Sequence, residues 1–429
     1  MNRRICPIGS PLRGTLRVPG DKSISHRALL LASLTDGESR IEGLLRSGDC
    51  LATRDCMRAL GVEIEDGADD EVIVRGAGLH GLRAAGTPID CVRSGTTMRL
   101  LAGILCGQRF SSVLTGDPQL LLRPMRRIVE PLLAMGADIA DDEGHAPLRI
   151  AGRSLRGVTH ELTVASAQVK SALLLAGLFA QGSTIVRQTG PARDHTERLL
   201  SGIGASVHEE NLAVTLHPPE SLSPFTLHVP GDISSAAFPI VAALLIPDSE
   251  ITLLSVGLNP TRTGLLDVLE QMGANIEIAA RRVEGGEPVG DLTIRSSELV
   301  GTAIGGSTVV RMIDEFPILA VAAALARGTT TVRDARELRV KETDRIATIV
   351  SELRVLGAEI EEAPDGFTVR GSARLQGGVV DSHRDHRLAM ALTVAGLVAE
   401  DDVTVRQAEY AADSYPGFSE QLKALGGER

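Results

Sequence analysis

Basic side chains stand at the starts of several apolar helices that the sequence predicts. An arginine guanidinium pairs with both oxygens of a carboxylate or phosphate, and a helix N-terminus adds free N–H groups and a positive dipole end. A single such residue is usually a solvated surface charge, but here the arrangement is repeated. We therefore predict a site for small anions among Lys22, Arg27, Arg93, Arg99, Arg123, Arg193, Lys341, Arg345 and Arg387.

Two carboxylates and an imidazole accompany these cations. Asp314 precedes an apolar helix, whereas Glu342 and His386 each lie among basic residues. Such groups are the usual general acids and bases, although Asp314 could instead cap its helix and Glu342 could simply form an ion pair. The metalloprotease, Walker, nucleophile-elbow and dinucleotide-binding motifs are absent. The sequence favours acid/base chemistry on anions, with no metal and no other cofactor.

A short pattern built around glycine recurs along the chain. Apolar residues precede the glycine, and small, polar and β-branched residues follow it, which predicts a helix that ends at a glycine and passes directly into a strand. The spacing of 68–84 residues indicates six similar α/β units. The glycines are Gly61, Gly136, Gly204, Gly273, Gly357 and Gly426.

A longer repeat divides these units into two sets of three. The segments Val18–Asp21 and Val229–Asp232 share the sequence Val-Pro-Gly-Asp and each leads into an apolar helix. We expect two lobes, residues 1–17 with 229–429 and residues 18–228, with the anions bound in a cleft between them. Apolar helices rich in Ala and Gly should be buried on all sides. They are predicted at Thr97–Leu105, Val169–Leu178, Ile318–Leu325 and Leu388–Leu397.

Composition limits the class of protein. A length of 429 residues favours more than one domain, and a net charge of −11 argues against a nucleic-acid partner. The five cysteines form no Cys-x-x-Cys pair, and the apolar runs are too short to cross a membrane. With no signal peptide evident at the N-terminus, we expect a cytoplasmic protein without a membrane partner. We also expect a monomer.

Eight segments of the chain resemble the 3-phosphoshikimate 1-carboxyvinyltransferase (EPSP synthase) family, in the family's order. They are Val18–Leu31, Ser94–Leu101, Gly116–Leu132, Ser166–Leu178, Arg193–Glu197, Ile313–Pro317, Glu337–Ile346 and Asp381–Met390. The resemblance implies a two-lobed, inside-out α/β barrel of βαβαββ units with buried helices. It also implies transfer of the enolpyruvyl group of phosphoenolpyruvate to the 5-hydroxyl of shikimate 3-phosphate, a step towards chorismate and the aromatic amino acids, with no cofactor.

The resemblance implies a role for each matching residue. Shikimate 3-phosphate would be bound by Lys22, Ser23, Arg27, Ser166, Ala167, Gln168, Arg193, Asp314 and Lys341. Phosphoenolpyruvate would be bound by Lys22, Gly95, Arg123, Gln168, Arg345 and Arg387. Asp314 would take the proton from the 5-hydroxyl, and Glu342, assisted by Lys22, would protonate the methylene carbon. Arg93 and His386 are further candidates for the site.

Some positions depart from the family's pattern. The dipeptide Val92-Arg93 replaces the usual Gly-Asn before Ser-Gly-Thr, so a β-branched residue stands where an unusual φ is expected. Arg93 could bind phosphate or point away from it. Other departures are Ala167 and Ala192 in place of Ser, Arg384 in place of Gly, and Asp413 where some members have a Lys nearby.

Two other functions compete with this one. The related UDP-N-acetylglucosamine enolpyruvyl transferases carry a reactive Cys before their Arg-Pro pair, but residues 115–124 contain none. A non-catalytic anion-binding relative would be expected to lose its acid/base groups, and Asp314, Glu342 and Lys22 are all present. Both observations favour the shikimate enzyme.

Overall fold

The computed structural model describes residues 1–68, 70–371 and 374–426. Two compact units are present. The first unit comprises Met1–Pro19, Pro230–Arg282 and the chain from Pro288 onward, and the second comprises Gly20–Val229 and Val283–Glu287. Helices and strands alternate in both units, so the α/β class is confirmed. The lobe boundaries given above, and the grouping of three repeats in each lobe, stay predictions.

The elements follow one another in this order. The first unit opens with β1 (Arg3–Ile5) and β2 (Arg13–Leu16). The second unit contains α1 (Lys22–Ala32), β3 (Glu38–Glu42), α2 (Gly48–Ala59), β4 (Glu63–Asp66), β5 (Val72–Arg75), β6 (Ile89–Asp90), α3 (Gly95–Cys106), β7 (Ser111–Thr115), α4 (Pro118–Leu121), α5 (Arg126–Ala134), β8 (Asp138–Asp142), β9 (His145–Ala151), β10 (Leu155–Arg156), β11 (Thr159–Glu161), α6 (Ala167–Gly177), β12 (Ala180–Gln181), β13 (Thr184–Arg187), α7 (His195–Gly202), β14 (Ser206–Glu210), β15 (Ala213–His217) and β16 (Thr226–His228).

The first unit then resumes. Its elements are α8 (Ile233–Leu245), β17 (Glu250–Gly257), α9 (Gly264–Gln271), β18 (Asn275–Glu284), β19 (Glu287–Arg295), β20 (Ala303–Ile304), α10 (Ser307–Arg311), α11 (Phe316–Leu325), β21 (Thr329–Val332), a 3-10 helix (Arg336–Val340), α12 (Arg345–Val355), β22 (Glu359–Ala363), β23 (Gly366–Arg370), β24 (Gly378–Asp381), α13 (His386–Leu397), β25 (Val403–Arg406), a second 3-10 helix (Ala408–Asp413) and α14 (Phe418–Leu425). The turn of the β18–β19 hairpin, residues 283–287, belongs to the second unit.

One sheet pattern recurs in both units. In the second unit the strand orders are β6-β7-β9-β8, β11-β13-β15-β14 and β16-β3-β5-β4. The first pair of each sheet is parallel and the others are antiparallel, so that Ile89 lies opposite Leu114, which in turn lies opposite Leu148. In the first unit the orders, written with the parallel pair first, are β20-β21-β23-β22, β2-β17-β19-β18 and the three-stranded β24-β25-β1. The repeated topology follows the repeated sequence.

Apolar helices fill the interior of each unit. In the second unit α3 and α6 pack against each other, and in the first unit α11 packs against α8 and α13. Almost every residue of these helices is buried, because Ala, Leu, Val and Ile leave no polar face to turn towards water. The predicted buried helices are therefore confirmed, with bounds that differ by a few residues at their N-terminal ends.

All six repeat glycines follow the end of a helix, and five of them do so in the left-handed conformation. Gly61, Gly136, Gly204, Gly273 and Gly357 have φ between +80° and +96°, and a strand follows each within a few residues. The residue after each glycine donates its N–H to a carbonyl five residues earlier, for example Val62 to Met57. This is the Schellman motif, which needs a left-handed residue. Gly426 differs, with φ −85°.

Two aspartates mark equivalent helix starts in the two units. Asp21 accepts a hydrogen bond from Ile24 N–H, and Asp232 accepts one from Ser234 N–H, each at 2.9 Å. These side chains satisfy N–H groups that a helix start leaves without an internal partner. In the part of the chain that the structure describes, no helix is both long enough and apolar enough to span a bilayer.

Candidate active site

The start of α1 gathers three of the predicted residues in the second unit. Lys22 Nζ lies 2.5 Å from Asp49 Oδ2. Arg27, one turn further along, donates from Nε to Thr196 Oγ1 at 2.6 Å and from Nη1 to the Ser23 carbonyl at 2.9 Å. A third bond runs from Arg27 Nη2 to Ser171 Oγ at 2.7 Å. The guanidinium is thus fixed before any substrate binds, which lowers the entropy lost on binding.

The starts of α6 and α7 add further polar groups. Ser166 caps α6 by accepting a hydrogen bond from Val169 N–H at 3.5 Å, and Ala167 is the first helical residue. Gln168 is oriented on both sides of its amide: Oε1 accepts from Arg99 at 2.7 Å, and Nε2 donates to Thr96 Oγ1 at 2.9 Å. Arg193 Nη1 lies 3.4 Å from Ser23 Oγ, so Arg193 reaches the α1 start.

Gly95 opens α3 beside two guanidinium groups. A Cβ atom at position 95 would lie 2.9 Å from Arg123 Nη1 and 3.0 Å from Arg99 Nη1. A side chain would therefore displace these cations or fill the space in front of them. Glycine keeps this helix start free of a side chain next to concentrated positive charge, and a helix start beside cations can bind anions.

The second unit also contains a buried ion pair that sequence reasoning missed. Lys170 Nζ lies 2.5 Å from Glu197 Oε1, and both side chains are at most 2% exposed. Lys170 also donates to the Ala192 carbonyl at 3.3 Å. The pair joins α6 to α7, the helices whose starts carry Gln168 and Arg193. A lysine inside the apolar pattern of α6 was the available signal.

A second group of polar side chains in this unit has the geometry of a cation site. Asp194, His195 and Glu287 each offer a ligand atom, and these atoms lie within 4.8 Å of one another. However, Arg198 already supplies positive charge there, since it donates to Asp194 Oδ2 at 2.8 Å and lies 4.0 Å from Glu287. His195 Nδ1 is 2.8 Å from Glu287 Oε1. We interpret the group as a structural network at the start of α7.

Arg345 is the centre of the polar cluster in the first unit. Its side chain is 1% exposed, and it contacts three carboxylates: Asp385 at 2.7 Å, Glu342 at 2.8 Å and Asp314 at 3.3 Å. Arg387 approaches the other oxygen of Asp314 at 3.5 Å. The cluster therefore joins four predicted residues to Asp385, which was not among the predicted site residues.

The structure decides one of the alternatives left open for the acidic residues. Asp314 is not a helix cap, because the N-cap of α11 is Glu315 and makes no side-chain capping bond. Asp314 instead faces two guanidinium groups. Glu342 does form the ion pair that was its simpler interpretation, with Arg345 as partner. Asp385 caps α13 through Arg387 N–H at 2.9 Å while also binding Arg345.

Burial and charge shift the pKa values in this cluster. Burial alone would lower the pKa of Arg345, but Asp385, Glu342 and Asp314 outweigh it and raise that pKa. For Asp385, burial alone would raise the pKa, but the charges of Arg345 and His386 lower it overall. For Lys341 burial dominates over the attraction of Asp314 and Glu342, so its pKa is lowered. Lys341 thus gives up a proton more easily than an ordinary lysine.

A single protein family matches nearly the whole chain, including the segments that form the two units' polar clusters. A sequence model described as EPSP synthase (3-phosphoshikimate 1-carboxyvinyltransferase) matches residues 7–422. The chain belongs to this family. A curated 3-phosphoshikimate 1-carboxyvinyltransferase from Herpetosiphon aurantiacus is 54% identical, with 95% of each sequence covered. Another from Desulforudis audaxviator is 52% identical, with 99% of each covered.

A solved structure supports the same fold. The EPSP synthase from Acinetobacter baumannii superposes with a TM-score of 0.90 at 41% sequence identity, covering 99% of this chain and 98% of that chain. This agreement confirms the predicted family.

Two departures from the EPSP synthase pattern adopt the backbone conformation expected of the residue replaced. Val92 has φ +51° and Arg384 has φ +61°, so a side chain stands in the left-handed region where glycine is normally found. Arg93 donates to Gln119 Oε1 at 2.8 Å and lies 3.5 Å from Asp117. Ala192 contributes only its carbonyl to the contact with Lys170 described above.

Proposed function

We propose that the chain transfers the enolpyruvyl group of phosphoenolpyruvate to the 5-hydroxyl of shikimate 3-phosphate and releases phosphate, as the names of its relatives indicate. The observation that carries the proposal is the Arg345 cluster. It places Asp314 and Glu342, which can move protons, against Arg345 and Arg387, which can bind a carboxylate or phosphate. Acid/base groups and anion-binding groups in contact are what an addition to phosphoenolpyruvate needs.

The fixed polar groups of the second unit support a role in binding shikimate 3-phosphate. We propose that Ser23, Arg27 and Arg193 bind this substrate, together with Lys22, Ser166, Gln168 and the first turn of α6 at Ala167. Three hydrogen bonds already fix Arg27, and Arg193 contacts Ser23. From the first unit, Lys341 and Asp314 complete the proposed set. Lys341, whose pKa is lowered by burial, can donate a hydrogen bond to a substrate hydroxyl or oxyanion.

Phosphoenolpyruvate carries a carboxylate and a phosphate, and the proposed ligands are cations and helix N–H groups. Gly95 and Arg123 in the second unit provide a helix start without a side chain beside a guanidinium. Arg345 and Arg387 provide two guanidiniums in the first unit. We propose that these four residues bind phosphoenolpyruvate, with Lys22 and Gln168 shared between the substrates. His386, buried next to Arg387, lowers the pKa of Asp385 and so supports this arrangement indirectly.

The reaction is proposed to proceed by addition and then elimination. As the 5-hydroxyl oxygen bonds to C2 of phosphoenolpyruvate, Asp314 takes the hydroxyl proton and Glu342, assisted by Lys22, gives a proton to the methylene carbon. Glu342, left ionised by the addition, then takes a proton back from the new methyl group as phosphate leaves, and the double bond is restored. Cations held in place beforehand stabilise the charge that develops.

Binding of phosphoenolpyruvate would itself strengthen the base. Asp314 is paired with Arg345 at 3.3 Å and Arg387 at 3.5 Å, and such pairing stabilises the ionised carboxylate. If the anionic substrate draws these guanidiniums to itself, it weakens their hold on Asp314. The carboxylate then accepts a proton more readily, at the moment when both substrates are in place.

Variants of the two proposed acid/base residues test their roles. We expect Asp314→Asn and Glu342→Gln to lower kcat by about 10²–10⁴-fold while changing both KM values far less. Phosphate release from phosphoenolpyruvate, measured with shikimate 3-phosphate as acceptor, is the assay. Glu362→Gln is a matched control, since Glu362 also pairs with an arginine, Arg339 at 2.8 Å, outside the cluster. Near-normal kcat in either test variant would remove that residue from the mechanism.

We further propose that the protein acts as a cytoplasmic monomer without nucleic-acid or membrane partners. The net charge of −11 supports the first absence. Light scattering of the purified chain tests the monomer: a mass of about one chain (45.2 kDa) is expected, and twice that mass would contradict it.

A further inference from the structure

Two loops of the second unit meet beside Gly95. The first loop, residues 91–94, connects β6 to α3, and the second loop, residues 116–125, connects β7 to α5 and contains α4. Backbone hydrogen bonds join them at their bases. Cys91 N–H donates to the Thr115 carbonyl at 2.8 Å, and Asp117 N–H donates to the Val92 carbonyl at 2.7 Å. The second loop contains Arg123, whose guanidinium lies beside Gly95.

The side chain of Arg93 adds contacts from the first loop to the second. Its Nη2 donates to Gln119 Oε1 at 2.8 Å, and its Nε lies 3.5 Å from Asp117 Oδ2. Asp117 also caps α4 by accepting a hydrogen bond from Leu120 N–H at 2.9 Å. Arg93 therefore contacts both the N-cap and the first turn of α4, the short helix that precedes Arg123 in the second loop.

The backbone of the first loop is held in a conformation that its residue type disfavours. Val92 has φ +51°, although it is β-branched and its side chain is 45% exposed, so burial does not explain the residue. Its N–H donates to Asp90 Oδ1 at 2.8 Å while its carbonyl is bound by Asp117. Strain of this kind persists only where surrounding contacts over-determine the conformation, and Arg93 follows directly.

We propose that Arg93 is a positioning residue: it holds the second loop on the first, and thereby sets Arg123 opposite Gly95. Arg93 acts through Asp117 and Gln119 and does not itself contact the bound anion. The inference rests on the proposed function only in that Gly95 and Arg123 are taken to bind phosphoenolpyruvate. We call the contacts of Arg93 with Asp117 and Gln119 the clasp. Because Val92-Arg93 replaces the usual Gly-Asn, the clasp distinguishes this chain from the common pattern of the family.

A double-mutant cycle between Arg93 and Gln119 tests the proposal. We expect Arg93→Met and Gln119→Leu each to raise the KM for phosphoenolpyruvate about tenfold, the effect of losing one charge-assisted hydrogen bond, with the KM for shikimate 3-phosphate changed less than about twofold. The double variant should have a KM for phosphoenolpyruvate no higher than that of the single variant with the higher KM. A direct anion ligand behaves differently: Arg93→Met would then be as damaging in the Gln119→Leu background as in the natural chain. That result, or an unchanged KM in Arg93→Met, would overturn the proposal.

Hydrogen exchange separates this proposal from the proposed function. Amide exchange of residues 116–123 should become faster in both single variants, whether or not the protein turns over substrate. Arg109→Met, which changes an exposed arginine of the same unit, should leave this exchange unchanged. Unchanged exchange in Arg93→Met would refute the clasp even if the natural chain is fully active. If exchange is faster in the two variants but the natural chain is inactive, the clasp is supported and the proposed function is wrong.

Discussion

The buried pair of Lys170 and Glu197 gives a sharp prediction about stability. The two side chains are 2.5 Å apart and at most 2% exposed, so water screens their charges very little. Replacing Glu197 with Gln keeps the shape of the side chain but leaves a buried ammonium group without its counter-charge. The effect should appear as a loss of folding free energy in the unit that contains α6 and α7.

The expected magnitude follows from the burial of both groups. Removing one partner of a fully buried pair costs about 3–5 kcal/mol. In a unit of about 200 residues, each kcal/mol lowers Tm by roughly 2–4 °C, so Glu197→Gln should lower the melting temperature by on the order of 10 °C. Replacing both residues, as Lys170→Met with Glu197→Leu, removes the uncompensated charge and should recover much of that loss.

Thermal unfolding followed by circular dichroism, supported by urea midpoints, measures these effects. The matched control is Glu161→Gln, because Glu161 pairs with Arg187 at 2.9 Å in the same unit but with both side chains more than half exposed. That control should cost about 0.5 kcal/mol or less. Equal losses in the two single variants, or a double variant as unstable as Glu197→Gln, would refute the reasoning from burial.

Three further predictions concern single positions. Val92→Gly should raise the free energy of unfolding by about 1 kcal/mol, because it relieves a valine held in the left-handed region. The control is Val164→Gly, at a similarly exposed valine without positive φ, which should lower the free energy of unfolding. The opposite order of the two variants in urea unfolding would contradict the strain at Val92. Burial lowers the pKa of His26 to about 3, below its unfolded value of about 6.5, so its contribution to stability is complete above about pH 6.5 and is lost as the pH falls towards 3. His26→Gln should therefore weaken the acid dependence of the unfolding free energy between about pH 6 and pH 4, and an unchanged slope would count against a neutral buried imidazole. In the folded protein an alkylating reagent should label Cys6 quickly and the four buried cysteines slowly; mass spectrometry that finds another cysteine labelled first would be the contrary result.

Features set by local chemistry could be predicted from the sequence. A glycine after an apolar helix predicts a left-handed helix end, and five of the six repeat glycines have it. Continuous Ala- and Leu-rich segments predicted buried helices, because such helices have no face for water. The observed bounds differ mainly at the N-terminal ends, where the capping residues decide.

Features that depend on contacts between distant segments could not be predicted. Asp385 lies 40 residues from Arg345 along the chain, yet it binds that guanidinium, and only the fold brings the two together. Lys170 and Glu197 were visible in the sequence, but their burial was not. The orientation of the Gln168 amide likewise depends on Arg99 and Thr96, which belong to a different helix.

Competition between two acceptors tests the central claim most directly. Phosphoenolpyruvate is supplied with equal concentrations of shikimate 3-phosphate and UDP-N-acetylglucosamine, and the products are identified by mass spectrometry while phosphate is measured. The account predicts a carboxyvinyl group on shikimate 3-phosphate alone, with one phosphate released for each product molecule. A carboxyvinyl group on the sugar nucleotide, or phosphate release that needs neither acceptor, would contradict it.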